Sequence, residues 1–240
     1  MSTSWQHLAV TCGFPGPHAP VRMPWHGAAM QLTKHGHACV VLSDGDRRLL
    51  LDPGAFTEES AWDGASALLI THEHFDHLDV ERTKQALDAD PALEVWTNRS
   101  VAEQLDAGQR VHVVGHGDAF TAAGFDVAVQ GEWHAVIHPD IPRIANVGFL
   151  VDGRVFHPGD ALTVPEGGVE TLLLPLHAPW SKTGELIDYV REVAPAHSLA
   201  VHDGLLNETG LMVGANFLGE NGPGVPGEYR RLAPGDSVTV

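Results

Sequence analysis

Three histidines and an aspartate fall within six positions in Thr71-His72-Glu73-His74-Phe75-Asp76-His77-Leu78-Asp79, directly after the apolar run Ala67-Leu68-Leu69-Ile70. A buried strand feeding such a loop admits few folds, because imidazoles and a carboxylate packed side by side stay costly unless a partner satisfies them. A divalent cation is that partner: neutral imidazole is the commonest ligand nitrogen, and a carboxylate adds compensating charge. A short turn at the strand end can aim His72 and His74 at one ion while Asp76 and His77 reach a second beside it. Glu73 reads as solvent-facing charge and Asp79 as the start of a helix.

With 240 residues, 43% of them hydrophobic, the chain can bury a sizeable core. Pro/Gly-rich stretches lie at the ends, at 13–27 and 221–235, and no linker splits the middle. Residues 1–29 read as an irregular or disordered leader and 30–240 as one domain, with Met30 a candidate biological start. Fourteen Lys and Arg against 31 Asp and Glu leave a formal charge of -17. That balance opposes the phosphate backbone, and the tight basic pairs Arg47-Arg48 and Arg230-Arg231 are too small to form a groove for nucleic acid. No apolar run is long enough to span a bilayer, and the first residues lack a secretory leader pattern. Cys12 and Cys39 are too few for a disulfide framework. A cytoplasmic location is the expectation, with no nucleic-acid or membrane partner; the oligomeric state stays open.

Strands are predicted at 30–33, 38–43 and 48–52, with Asp44-Gly45-Asp46 as a hairpin turn between the last two. Further strands are expected at 66–70, 93–97, 111–114, 125–130, 147–151, 155–157, 171–174 and 198–201. Helices are expected at 80–87, stopped by Asp90-Pro91, and at 185–193, where one face is apolar and Pro195 ends the run. From composition and pattern alone this is a mixed α and β chain.

The HxHxDH pattern at 72–77 resembles the metallo-β-lactamase fold superfamily of hydrolases, and the resemblance extends over most of the chain because later candidate ligands follow in the family's order. It implies an α+β fold, an αββα sandwich of two mixed β-sheets face to face with helices outside. His134, in Glu132-Trp133-His134, resembles the family's third histidine and would join His72 and His74. Asp160, in His157-Pro158-Gly159-Asp160, resembles the bridging carboxylate. His202, after Leu199-Ala200-Val201, resembles the final histidine and would complete a second set with Asp76, His77 and Asp160. Taken singly, His134 and His202 could be ordinary half-buried histidines and Asp160 a turn residue. His37, in Gly36-His37-Ala38, resembles a feature of the branch related to ascorbate-6-phosphate lactonase, where it lies near the metals. His37, His138 and His177 are assigned to substrate binding or to the support of a ligand ring, with filler as the equal alternative. His112, His116, His157 and His197 read as filler.

Seven ligands shared between two ions leave coordination positions open for water and substrate, whereas a structural zinc site closes with four. The expected activity is hydrolysis of a small-molecule ester, lactone, amide or phosphodiester by a hydroxide bridging two divalent ions. Asp76 is the candidate catalytic carboxylate, orienting the nucleophile and passing its proton to the leaving group. Zinc is the default ion, with manganese and iron compatible with the same donors. The alternatives are a metal-binding module without turnover and a small phosphodiesterase or nuclease.

Overall fold

A computed structural model describes residues 29–223 and 226–240. The leader expected at 1–29 lies, except for residue 29, outside the described residues, as does Cys12.

The first half of the chain builds one seven-stranded sheet. It contains β1 (Gln31–Lys34), β2 (Val40–Asp44), β3 (Arg47–Leu51), β4 (Ala67–Ile70), β5 (Glu94–Thr97) and β6 (Val111–Val113). The final strand β14 (Ser237–Thr239) closes its outer edge, giving the order β14-β1-β2-β3-β4-β5-β6. The second sheet contains β7 (Ala119–Ala122), β8 (Phe125–Gln130), β9 (Gly148–Val151), β10 (Val155–His157), β11 (Thr171–Pro175), β12 (His197–Val201) and β13 (Glu228–Arg231), in the order β13-β12-β11-β10-β9-β8-β7. Each sheet is antiparallel on one side and parallel on the other.

Side-chain alternation explains the layering. Leu49 and Leu51 of β3 and Leu69 of β4 point between the sheets, where they meet Phe125, Phe149, Leu173 and Leu199. Leu50, Leu68 and Ile70 face the other way, against Leu87 of α1 (Val80–Ala89) and Val101 of α2 (Arg99–Leu105). On the second sheet, Leu172 and Leu174 face Leu186 and Val190 of α3 (Thr183–Val193), with Leu211 of α4 (Glu208–Leu218) alongside. Successive strand residues alternate sides, so a strand covered on both faces must be apolar throughout. The result is the expected αββα sandwich.

The predicted elements are present, with ends moved by no more than two residues. The hairpin forms with Gly45 at a φ of +57°. Among the described residues two α-helices and three strands go beyond the sequence reading, besides two single-turn 3-10 segments, and each α-helix and strand has a reason. Helix α2 is seven residues long and buries only Val101 and Leu105, too little for a period to register. Helix α4 carries Gly210 and Gly214 inside it and leaves Met212, Val213 and Phe217 exposed, which inverts the usual pattern. Strands β7, β13 and β14 are sheet-edge elements with little buried surface. β13 lies inside the stretch read as a loose edge, held by parallel pairing with β12. Among the described residues no helix is long and apolar enough to cross a membrane.

Candidate metal centre

The histidine loop leaves β4 and returns to the sandwich at α1, where the Asp79 side chain accepts from the Arg82 amide at 3.0 Å and caps the helix. The turn also needs Gly54, because a Cβ there would lie 2.1 Å from the backbone of Asp76. Glu73 is tied to α2 by Ser100 and Gln104, which makes it a fastening for the loop rather than free surface charge.

The loop meets three distant segments. His134 follows β8, Asp160 follows β10, and His202 follows β12 in a left-handed conformation (φ +55°) that turns its ring back toward the loop. Histidine enters that region more often than most residues, but the position remains uncommon. Gly159, at φ +62°, sets Asp160 in place; a Cβ there would lie 2.3 Å from the Asn146 side chain. The Asp160 amide donates to Asn146 Oδ1 at 3.0 Å.

Two sets of potential ligand atoms result: His72, His74, His134 and Asp160 in one, His77, Asp160 and His202 in the other. Asp160 belongs to both. Its Oδ1 lies 3.2 Å from His77 Nε2 and 3.3 Å from His202 Nε2, while its Oδ2 lies 3.4 Å from His134 Nε2. Asp76 Oδ2 is 3.3 Å from His202 Nε2, and His72 Nε2 faces His74 Nδ1 at 3.1 Å. Nitrogen ligands about 2.0–2.1 Å from one tetrahedral ion stand roughly 3.3 Å apart, so the spacing suits a cation.

Proton placement agrees. His77 donates Nδ1–H to Asp52 at 2.7 Å, His134 to the Ala135 carbonyl at 2.6 Å, and His202 to the His177 carbonyl at 2.6 Å. Thr71 Oγ1 gives its hydrogen to Asp52 at 2.7 Å and so accepts from His72 Nδ1 at 3.0 Å. In the neutral ring each donation leaves a lone pair on Nε2. The Nε2 atoms of His77, His134 and His202 and Oδ1 of Asp160 are buried without hydrogen-bond partners. These orphans, gathered on the two sides of Asp160, fit bound cations.

Two supports were not anticipated. Asp52, fully buried, accepts from the Thr71 amide, Thr71 Oγ1 and His77 and faces His157 Nε2 at 3.3 Å. From the sequence Asp52 reads only as the end of a strand before Pro53-Gly54, and His157 only as filler. Trp180 donates Nε1–H to Asp160 Oδ2 at 2.8 Å. No local signal marks it, since 20 residues separate the pair.

The remaining candidates separate. His37 is buried, with Nε2 3.4 Å from Asp76 Oδ2. His177 is exposed and contributes through its backbone carbonyl. His138 is exposed and pairs with Asp140 at 3.6 Å, away from both sets.

The electrostatics run both ways. Burial disfavours the charged form of His72 and His74 and lowers their pKa values. Burial also opposes charge on His77 and His202, but carboxylates outweigh it. Asp160 and Asp52 hold His77 well above the ordinary range, and Asp160 and Asp76 bring His202 up to about 9. Although burial acts the other way, neighbouring histidines hold Asp76 and Asp160 well below the usual carboxylate range. Without a cation, His202 therefore carries a second proton at pH 7, and a cation must displace it. Metal uptake is expected to release protons at pH 7, with the His202 share vanishing as pH rises through about 9 and affinity growing about tenfold per pH unit per proton over that span. Calorimetric metal titrations in buffers of different ionisation enthalpy check this; heats independent of the buffer at pH 7 would refute it.

Comparison with known proteins agrees with the geometry. The family described as Beta-lactamase superfamily domain matches residues 31–202. Protein Rv0786c of Mycobacterium tuberculosis is 44% identical over 184 residues, covering 74% of this chain and 85% of that one. A UPF0173 metal-dependent hydrolase of Methanosphaerula palustris is 34% identical over 140 residues, 55% of this chain and 60% of its own. In structure, the metallo hydrolase Igni18 of Ignicoccus hospitalis superposes with a TM-score of 0.65 at 16% identity, covering 88% of this chain and 98% of that one, a likeness of fold. The chain belongs to the β-lactamase superfamily and is a metallo-hydrolase of the metallo-β-lactamase fold.

Proposed function

We propose that the chain holds two divalent ions and hydrolyses a small-molecule ester, lactone, amide or phosphodiester. The observation that carries this reading is Asp160, whose two oxygens face different histidines: Oδ1 faces His77 and His202, Oδ2 faces His134. His72, His74, His134 and Asp160 would hold one ion, and Asp76, His77, Asp160 and His202 the other. When bound, the pair would supply a hydroxide at neutral pH, by lowering the pKa of a shared water toward about 7, together with Lewis-acid polarisation of the scissile group. The protein's part is to keep the Nε2 lone pairs bare through fixed Nδ1–H donations, and to hold Asp76 ionised where it can take a proton from the nucleophile and return it to the leaving group.

Zinc is the ion we favour for so nitrogen-rich a set. A cleft of about 430 Å³ adjoins the centre through Ala135 and Trp180, and its size suits a small molecule. Trp133, Val136 and Leu162 give it apolar walls, Lys182 is paired with Glu185 at 2.8 Å, and Arg143 offers positive charge in an otherwise acidic chain. Arg143 is anchored through Nε to the His134 carbonyl, so an anionic group on the substrate would dock one residue from the centre. The position of His37 behind Gly36 supports kinship with the ascorbate-6-phosphate lactonase-like branch. The sparse cysteines support a cytoplasmic location.

The test is a panel of p-nitrophenyl acetate, a simple lactone and bis(p-nitrophenyl) phosphate with zinc, manganese or iron, run beside elemental analysis. Two equivalents of metal and turnover of at least one substrate are expected, with Asp76→Asn slower by about 10²-fold or more. A wild-type rate in Asp76→Asn on every substrate would reject the role given to Asp76, and metal-loaded wild-type protein that turns over none of them would favour a metal-binding module.

A further inference from the structure

His37, Asp76 and His202 form a third group close enough to hold a cation, which by distance alone would make His37 an eighth ligand. Its hydrogen bonds say otherwise. The Gly204 amide donates to His37 Nδ1 at 2.9 Å, and a backbone N–H can only donate. Nδ1 is therefore the acceptor nitrogen, and the ring's proton sits on Nε2. His77, His134 and His202 show the reverse arrangement, with Nδ1–H donated and Nε2 bare. Turning the His37 ring over would set a carbon against the Gly204 amide and orphan that donor.

The contact is built in. Lys34 at the end of β1 pairs with Asp203 in the interior, Arg231 of β13 reaches the same carboxylate at 3.0 Å, and together they pin the segment carrying Gly204. Residue 204 sits so near the ring that a Cβ would come within 3.0 Å of Nδ1. From the other side, the His202 amide donates to the His37 carbonyl at 2.8 Å, and the two rings stand 3.9 Å apart. Phe56 packs edge-on against His37 at 5.6 Å.

His37 Nε2–H is thus a buried donor without an aligned hydrogen-bond partner, 3.4 Å from Asp76 Oδ2, beside atoms that would be electron-pair donors to a bound cation. A cation satisfies the others and repels this one; an oxygen satisfies it. We propose that His37 is a catalytic hydrogen-bond donor rather than a metal ligand, giving its Nε2–H to the substrate oxygen that gains negative charge during hydrolysis. No proton is transferred, since removing it would leave an imidazolate while Nδ1 stays committed to Gly204. A neutral imidazole used in this way stabilises charge without changing its own protonation state.

The role toward substrate rests on the proposed hydrolysis, whereas the proton position does not, so the two are tested apart. Nitrogen-15 NMR of histidine-labelled wild-type protein, before and after zinc addition, should find the His37 proton on Nε2 in both states. His37→Ala should retain the wild-type metal equivalents by elemental analysis, with kcat on the p-nitrophenyl substrates reduced about 10²–10³-fold and KM little changed. A proton on Nδ1, a lost metal equivalent or an unchanged kcat would each overturn the proposal. The NMR reading stands even if the variant fails to fold. Wild-type protein that binds no metal would defeat the hydrolase reading while leaving the proton position intact.

Discussion

Asp160→Ala is expected to abolish measurable turnover, a loss of more than about 10³-fold, and to lower the metal content of purified protein. The size of the effect follows from geometry. Both ligand sets use this carboxylate, and its removal leaves the Nε2 atoms of His77, His134 and His202 without the negative charge that compensates a cation. The Trp180 indole also loses its acceptor. Asp160→Asn separates the causes, since the amide keeps the shape but not the charge. If charge is what matters, both variants lose metal; a variant with full metal content and wild-type rates would remove Asp160 from the centre.

The second large effect is on stability, at a residue that touches no ion. Asp52→Ala is expected to destabilise the protein by about 3–5 kcal/mol, the range for removing one member of a buried hydrogen-bonded charge network. The Thr71 amide, Thr71 Oγ1 and His77 Nδ1 would be left in the interior without an acceptor, and His157 would lose the carboxylate its Nε2 faces. Because Asp52 also sets the ring orientation of His77, metal affinity should fall about 10–100-fold in protein that still folds. Urea unfolding with and without zinc measures both. Unfolding midpoints equal to wild type would show that water replaces the carboxylate at no cost.

The contrast between Asp160 and Asp52 shows where sequence reading reaches its limit. His72, His74, Asp76 and His77 are legible because they crowd into one loop, and crowding of that kind has a chemical meaning wherever it occurs. His134, Asp160 and His202 are legible only as residues that follow strands in a familiar order, since nothing within a few positions of each announces a ligand. Asp52 gives no such sign. It terminates a strand before Pro53-Gly54, and its importance comes from Thr71 and His77, 19 and 25 residues away, and from His157 beyond them. His138 is the converse: beside Asp140 it resembles a supporting pair, yet its loop stays in solvent.

A similar division runs through the fold. The alternation that turns Leu49 and Leu51 inward and Leu50 outward is a property of any strand, so the apolar runs could be placed from the sequence alone. Helix α4 could not, because its two glycines and exposed Met212, Val213 and Phe217 break the helical period.

The amino-acid order by itself determined that a buried strand would deliver a dense histidine loop to the surface of a two-sheet core, because local crowding and side-chain alternation are short-range facts. Only the tertiary structure decided which nitrogen of each ring stays bare. Whether a histidine presents a lone pair or a proton depends on what its other nitrogen meets, and for His37, His77 and His202 that partner comes from a different part of the chain.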